Sequence, residues 1–385
     1  MSATTPVAWL QLIHRKSRLV VTITGVTFAV MLMFIQLGFR DGLFEDAVVF
    51  HKKIQADLVL LHRDTERFFD MKVFPRRYLY NISAVDGIAS VNPFYFSVTN
   101  FKNPETFVNR PIAIAGFTPD QPVFNLPEVN QQKELIKAAN TILFDRLSRP
   151  EFGPIVAELE KHGEVITEVS NRQIKVKGLF SLGGGVMTAD GVIITSDLNY
   201  SEILNHPLEK VQMGVIQVKP GVDPESIIKK ISKDLPQDVK LMTLENYIKL
   251  EKDVLAQSTP IGFIFNMGTV IGCVFGGIIV YQILYTQISD SLFIYATFKA
   301  IGYANSYLVK VVLQQAILMS LIGYIPGFAV CMYLYNFVQE ATRLPMIMTI
   351  TRGVTVMLLT IVMCSLAGML AMNKLRSADP AELFG

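Results

Sequence analysis

Few residues in this 385-residue chain have types and spacing suited to covalent chemistry. The five histidines, His14, His51, His62, His162 and His206, are scattered, with no pair at helical ligand spacing and no His-Glu-x-x-His. Structural or solvated roles are expected for them rather than metal binding. A nucleotide cradle of the usual kind needs Gly-x-x-x-x-Gly-Lys-Ser/Thr, and the chain has no Gly-Lys dipeptide at all. Any use of ATP and its Mg must then come from a partner. There is no Gly-x-Ser-x-Gly nucleophile elbow. Gly183-Gly184-Gly185 has the composition of an anion nest but better fits a flexible turn between strands at 173–180 and 191–195. Cys273, Cys331 and Cys364 all fall in apolar runs and read as small packing residues. No catalytic residue, resident cofactor or metal site is expected.

Two other spacings suggest mechanical roles. Gly268, Gly272 and Gly276 recur every four residues, with Gly277 beside them, so one helix face lacks side chains and lets another helix approach closely. A neighbour in a second copy, giving a homodimer, is expected slightly ahead of one in the same subunit. Further on, Leu292, Tyr295, Ala296 and Lys299 recur at three- and four-residue spacing after Asp290, and Gly302 is placed to stop a short helix. Such a helix either docks a partner or merely connects two spans along the membrane surface.

The elements that must carry these residues follow from charge patterning. Residues 20–37, 261–285, 311–336 and 354–372 contain no Asp, Glu, Lys, Arg or His, and each run reaches or nears the roughly 20 residues that cross a bilayer core. The remainder carries charge at about the one-quarter density of an ordinary soluble domain. A fully soluble enzyme is excluded. A net charge of +2 without basic clusters gives no footprint for nucleic acid. Spans without charged groups disfavour a proton-coupled carrier or ion pump.

The expected fold is an α-helical membrane protein with four transmembrane helices and a large α+β domain inserted between helices 1 and 2. An interfacial helix at 1–18, bearing Trp9, precedes span one at 19–38. The inserted domain occupies 39–259, with stalk helices at both ends and two α+β lobes, one of them an inserted lobe at roughly 115–210 suggested by Pro and Gly punctuation. Span two (260–285), a loop with the short helix (286–310), span three (311–336), a short loop (337–353), span four (354–372) and a tail (373–385) complete it. Arg15, Lys16 and Arg18 place the N-terminus in the cytoplasm, and four crossings return the C-terminus there, leaving 39–259 outside. Arg343 and Arg352 then fall in the outer loop between spans three and four.

The run Tyr295-Ala296-Thr297-Phe298-Lys299-Ala300-Ile301-Gly302 resembles the cytoplasmic motif of the MacB/FtsX/LolC-type permeases of ABC transporters. The tail, with Asp379, Pro380 and Glu382, is similar to that family's closing signature, and the order of one span, a large outer domain and three spans matches throughout. The family's usual acidic residue at the start of the loop motif is Tyr295 here, with Asp290 five residues earlier. Length, lack of a fused nucleotide-binding domain, and Ala56-Asp57-Leu58-Val59 most resemble the DevC-type branch, the permeases of cyanobacterial glycolipid exporters. The resemblance implies a type VII ABC system in the inner membrane. Two copies would pair with two separate ATPase subunits docking under 289–303, which bind the ATP and Mg. A periplasmic membrane-fusion adaptor and a TolC-like outer-membrane protein would complete a tripartite exporter, with membrane lipids as surroundings and a glycolipid as cargo. The rival implied by the same architecture is an FtsX-like non-transporting regulator of cell-wall hydrolases. A receptor or scaffold without an ATPase is a more distant alternative.

Overall fold

A computed structural model describes residues 16–183, 190–290, 297, 301–303, 305–342 and 344–377. The chain divides into two compact units. One gathers the described residues up to Gly42, Pro260–Ala341 and those from Pro345 onward; the other is Leu43–Thr259 with the described part of Thr342–Leu344.

The first unit is helical. Leu19–Ala47, Pro260–Asp290, Val309–Thr342 and Ile350–Met372 are long and apolar enough to cross a membrane. They are spans one to four, and their helices run over Lys16–Ala47, Pro260–Asp290, Asn305–Thr342 and Ile350–Ser377. Span one packs one face against its neighbours, with Val26, Ala29, Val30, Met33 and Phe34 almost wholly buried. The expected interfacial helix at 1–18 lies almost entirely outside the described residues.

The second unit is the inserted domain, and its strands are β1 (Leu58–His62), β2 (Phe74–Pro75), β3 (Ile88–Lys102), β4 (Asn109–Phe117), β5 (Thr141–Asp145) and β6 (Val165–Val169). After these come β7 (Arg172–Phe180), β8 (Val192–Ser196), β9 (Lys210–Val211), β10 (Met213–Val218) and β11 (Val239–Thr243). Nine of them form one sheet in the order β11-β1-β10-β3-β4-β8-β5-β7-β6, and β6 pairs back onto β3 through Phe101 opposite Val169. Six strands therefore close into a ring, while β10, β1 and β11 extend from it as a wing. The 15 residues of β3 make this possible: at the rise of an extended strand they reach about 50 Å, enough to pair with β10 at one end and close the ring at the other. The segment expected as an inserted lobe supplies β5 to β8 to this same continuous sheet.

Strand β1 shows why the sequence reads as an unbroken apolar run. Leu58 and Leu60 enter one hydrophobic cluster while Val59 and Leu61 enter the other, so both faces of the strand are covered. A β-α-β unit lies near the end of the domain. Strands β10 and β11 flank β1 as antiparallel partners, joined through a helix at Pro224–Ile231 whose first turn is capped by Asp223. Between β4 and β5 the chain makes a five-residue helix, Pro127–Gln131, and a single tight helical turn, Leu135–Lys137. The longest strand, β3, escaped the sequence reading because Asn92, Pro93, Ser97 and Asn100 interrupt its apolar pattern.

The stalks differ from each other. Span one's helix continues without a break to Ala47, followed by a turn at Val48 and a short helix at Val49–Lys53. The returning stalk, Leu244–Ser258, stops at Thr259, which is extended (φ −117, ψ 152). Pro260 causes this, since a residue preceding proline is pushed out of the helical region.

Phe50 is the hub of the second cluster, its ring lying 5.0–5.9 Å from those of Phe68, Phe94, Phe96 and Phe124. Phe50→Ala is expected to cost the inserted domain about 3–5 kcal/mol, as other large-to-small core changes do. Thermal unfolding of the detergent-solubilised chain, followed by circular dichroism, measures it.

Candidate functional site

The glycine ridge of span two receives span one of the same chain. A Cβ built on Gly268 would sit 2.5 Å from Cδ of Gln36, one on Gly272 3.3 Å from Cβ of Leu32, and one on Gly276 2.5 Å from Cβ of Ala29. Span three meets span one the same way, at Gly323 and Gly327 against Val26 and Val30. These small residues on either side of Pro326 let span one lie deep between its neighbours, and Thr27 donates its hydroxyl to the Gly323 carbonyl at 3.1 Å.

At the C-terminal end of span one, one carboxylate joins the helices. Asp41 Oδ2 accepts from Arg352 Nη2 at 2.9 Å and Nε at 3.3 Å, while Oδ1 accepts from Arg40 Nη2 at 2.8 Å and Nε at 2.9 Å. Arg40 also donates to Asn266 Oδ1 of span two at 2.9 Å, and Arg352 to the Ile347 carbonyl at 2.9 Å. The Arg352 guanidinium lies 5.5 Å from the ring centroid of Tyr335 in span three, whose hydroxyl donates to the Phe34 carbonyl of span one. Arg352 thus corrects the sequence reading. It is not a loop charge but a first-turn residue of the span-four helix, 7% exposed and paired. Burial of a guanidinium demands such a partner, and Asp41, just past the charge-free run, supplies it.

The inserted domain has its own cluster where the incoming and outgoing helices meet. Glu45 accepts from both Lys52 and Lys252. Deeper in, His51 is fully buried and Glu251 is 3% exposed, with His51 Nε2 3.9 Å from Glu251 Oε2. Desolvation pushes the Glu251 carboxyl up to about 7 and the His51 imidazole down to about 3. The Tyr247 hydroxyl beside them is driven well above its usual value by the same burial. Sequence reasoning placed His51 among the structural histidines. Its pairing was not visible, because Glu251 is 200 residues away in a run of ordinary helical charges.

Of the residues expected to couple to an ATPase, Asp290 is the last residue of the span-two helix, and Gly302 has φ +102, a left-handed conformation suited to glycine. Just before it Ile301 N donates to Thr297 O at 3.0 Å, one helical bond. Leu292, Tyr295 and Lys299 lie outside the described residues, as do Asp379, Pro380 and Glu382. Among the described residues, no three His, Cys, Asp or Glu side chains converge as metal ligands would. An open apolar groove of about 1060 Å³ runs between spans two and four past Gly277, Tyr281, Met363 and Leu366.

Residues 261–380 match the family described as FtsX-like permease C-terminal, so spans two to four form an FtsX-like permease domain. With four helices long and apolar enough to cross a bilayer, the chain is a multi-pass membrane protein. The chain is similar to the periplasmic region of MacB from Actinobacillus actinomycetemcomitans, at 10% identity over 54% of this chain and 95% of that one, with a TM-score of 0.35. It is also similar to the extracellular domain of the noncanonic ABC-type transporter YknZ from Gram-positive bacteria, at 10% identity over 48% and 98%, TM-score 0.34. A domain of a putative permease protein from Porphyromonas gingivalis is similar at 14% identity over 50% and 90%, TM-score 0.30. No curated protein matches the chain significantly.

Replacing Arg352 by Gln leaves Asp41 to Arg40 alone, while replacing Asp41 by Asn leaves a buried guanidinium unpaired. Asp41 is one-third exposed, so a loss of about 1–3 kcal/mol is expected, less than for a wholly buried pair. The Asp41→Asn change should be the worse of the two. Unfolding of the solubilised single variants and of the charge-swapped double variant checks this, with partial recovery expected in the swap.

Proposed function

We propose that this chain is the membrane subunit of an ABC exporter and works by transmitting motion rather than by lining a path. The observation that carries the reading is the FtsX-like permease match over spans two to four. A separate ATPase binds the ATP and Mg and docks beneath 289–303, with Asp290, Leu292, Tyr295, Lys299 and Gly302 as the coupling residues. Its closure moves the helices that lead into the inserted domain. The unbroken helix Lys16–Ala47 supports this, because a continuous helix carries displacement along its axis where a loop would absorb it. The chain itself performs no catalysis.

In this reading both termini are cytoplasmic, in keeping with Arg15, Lys16 and Arg18 before span one. The inserted domain is then periplasmic, in an inner membrane, and engages a membrane-fusion adaptor and a TolC-like outer-membrane duct. Two copies act together with two ATPase subunits. The cargo is a glycolipid that reaches the inserted domain without crossing between the spans. The charge-free runs 20–37, 261–285, 311–336 and 354–372 favour this route, since a polar headgroup passing between them would meet no charged partner there.

Co-purification from the native membrane tests the assembly. Recovery of a P-loop ATPase with a coiled-coil adaptor supports export, and recovery of a cell-wall hydrolase in place of the adaptor replaces it with a regulator. In the assembled complex, Lys299→Glu and Ala296→Pro are each expected to abolish coupled ATPase stimulation and leave unfolding of the inserted domain unchanged. Unaltered coupling in both variants contradicts the docking assignment.

A further inference from the structure

The segments leading into and out of the inserted domain's sheet, Val49–Lys53 and Leu244–Ser258, meet inside that domain at His51 and Glu251. The His51 ring is held between Phe68, 4.6 Å away, and Tyr247, 4.9 Å away. Among the described residues, neither of its nitrogens has a hydrogen-bond partner at ordinary distance. Glu251 Oε2, 3.9 Å from Nε2, accepts one N–H, from Phe68 at 2.9 Å. The other groups acting on the pair are few. Arg67, next to Phe68, exerts a favourable charge on Glu251, and among the described residues the buried Tyr247 hydroxyl has no partner. Lys52 and Lys252, the neighbours of His51 and Glu251 in sequence, are both engaged by Glu45.

An ionised pair fits this place badly. Among the described residues, an imidazolium would have two donors and no acceptor within hydrogen-bond distance, and a carboxylate would have a single N–H donor with no cation in contact. Neutral forms leave no charge to solvate at this separation.

We infer that His51 and Glu251 form an uncharged positioning pair holding a single proton, carried by the Glu251 carboxyl, and that this neutral joint fixes the incoming helix against the outgoing one. Its part in transmission rests on the function proposed above; the location of the proton does not.

The pair has a characteristic pH signature. Burial raises Glu251 from 4.5 to about 7 and lowers His51 from 6.5 to about 3. Between pH 4.5 and 6.5 the unfolded chain carries the proton on the histidine and the folded chain carries it on the glutamic acid, so the counts match and the pair adds no slope to stability. Each single variant unmasks its partner. In Glu251→Gln the remaining histidine binds a proton only when unfolded, so stability rises with pH between about 3 and 6.5. In His51→Gln the remaining carboxyl holds its proton only when folded, so stability is greatest below pH 4.5 and falls as pH rises to about 7. In the intact pair, ionisation of Glu251 above pH 7 loosens the joint.

The test uses the full-length protein in detergent. At pH 5.5, nitrogen-15 spectra of the histidine rings are expected to show one neutral ring that fails to protonate down to pH 4. Infrared spectra are expected to show a protonated-carboxyl band that is missing from Glu251→Gln. Amide hydrogen exchange in 49–53 and 244–258, corrected for intrinsic rates, should rise between pH 6 and 8 in the wild type and stay level in Glu251→Gln. If that variant does not fold, the wild-type histidine spectra decide alone. An imidazolium at His51 facing a carboxylate, or unfolding profiles of Glu251→Gln and His51→Gln that parallel the wild type, overturns the inference. No readout involves an ATPase, so its failure leaves the proposed function standing, and failure of that function leaves the pair intact.

Discussion

The membrane unit depends on how closely span one is approached. Gly268, Gly272 and Gly276 of span two, with Gly323 and Gly327 of span three, remove the side chains that would hold it off. In lipid there is no hydrophobic drive to bring helices together, so backbone proximity and the contacts it allows must supply the attraction. Once span one is seated, Asp41 comes within reach of Arg352, and Tyr335 comes within reach of the Phe34 carbonyl. Polar contacts that would be costly if isolated are thus gathered at one helix end, where each satisfies another.

The inserted domain solves a related problem differently. Its incoming and outgoing helices carry an exposed charged contact, Glu45 with two lysines, and beneath it a buried pair without net charge. The exposed contact is screened by solvent and contributes modestly. The buried pair is specific, since any displacement that brings water to Glu251 changes its proton affinity. A joint of this kind holds two helices in register and still separates without stranding an ion in an apolar site.

Much of this was legible in the sequence, for definite reasons. Charge-free runs of bilayer length have one physical meaning, so the four spans and the domain between them could be read directly. The glycine ridge was equally visible, but its neighbour was not, because spacing shows that a helix can approach and says nothing of which one. Arg352 was read as a loop charge since a lone arginine beside an apolar run does not disclose a partner 311 residues away. The β3 strand was hidden by its own polar residues, and the ring it closes depends on pairing between distant segments. His51 and Glu251 look ordinary in sequence and become a pair only through the fold. The coupling loop stands the other way round, carried by resemblance and its own spacing, with only Asp290, Gly302 and one helical bond among its described features.

The central claim is that ATP-driven motion reaches the inserted domain along its helices. Spin labels at Asp253, an exposed position on the outgoing helix, allow the distance between the two copies of an assembled complex to be measured by pulsed electron resonance, with and without trapped ATP. A clear change in that distance on ATP trapping is the result the account predicts. An unchanged distance in a complex that hydrolyses ATP and moves its cargo would contradict it.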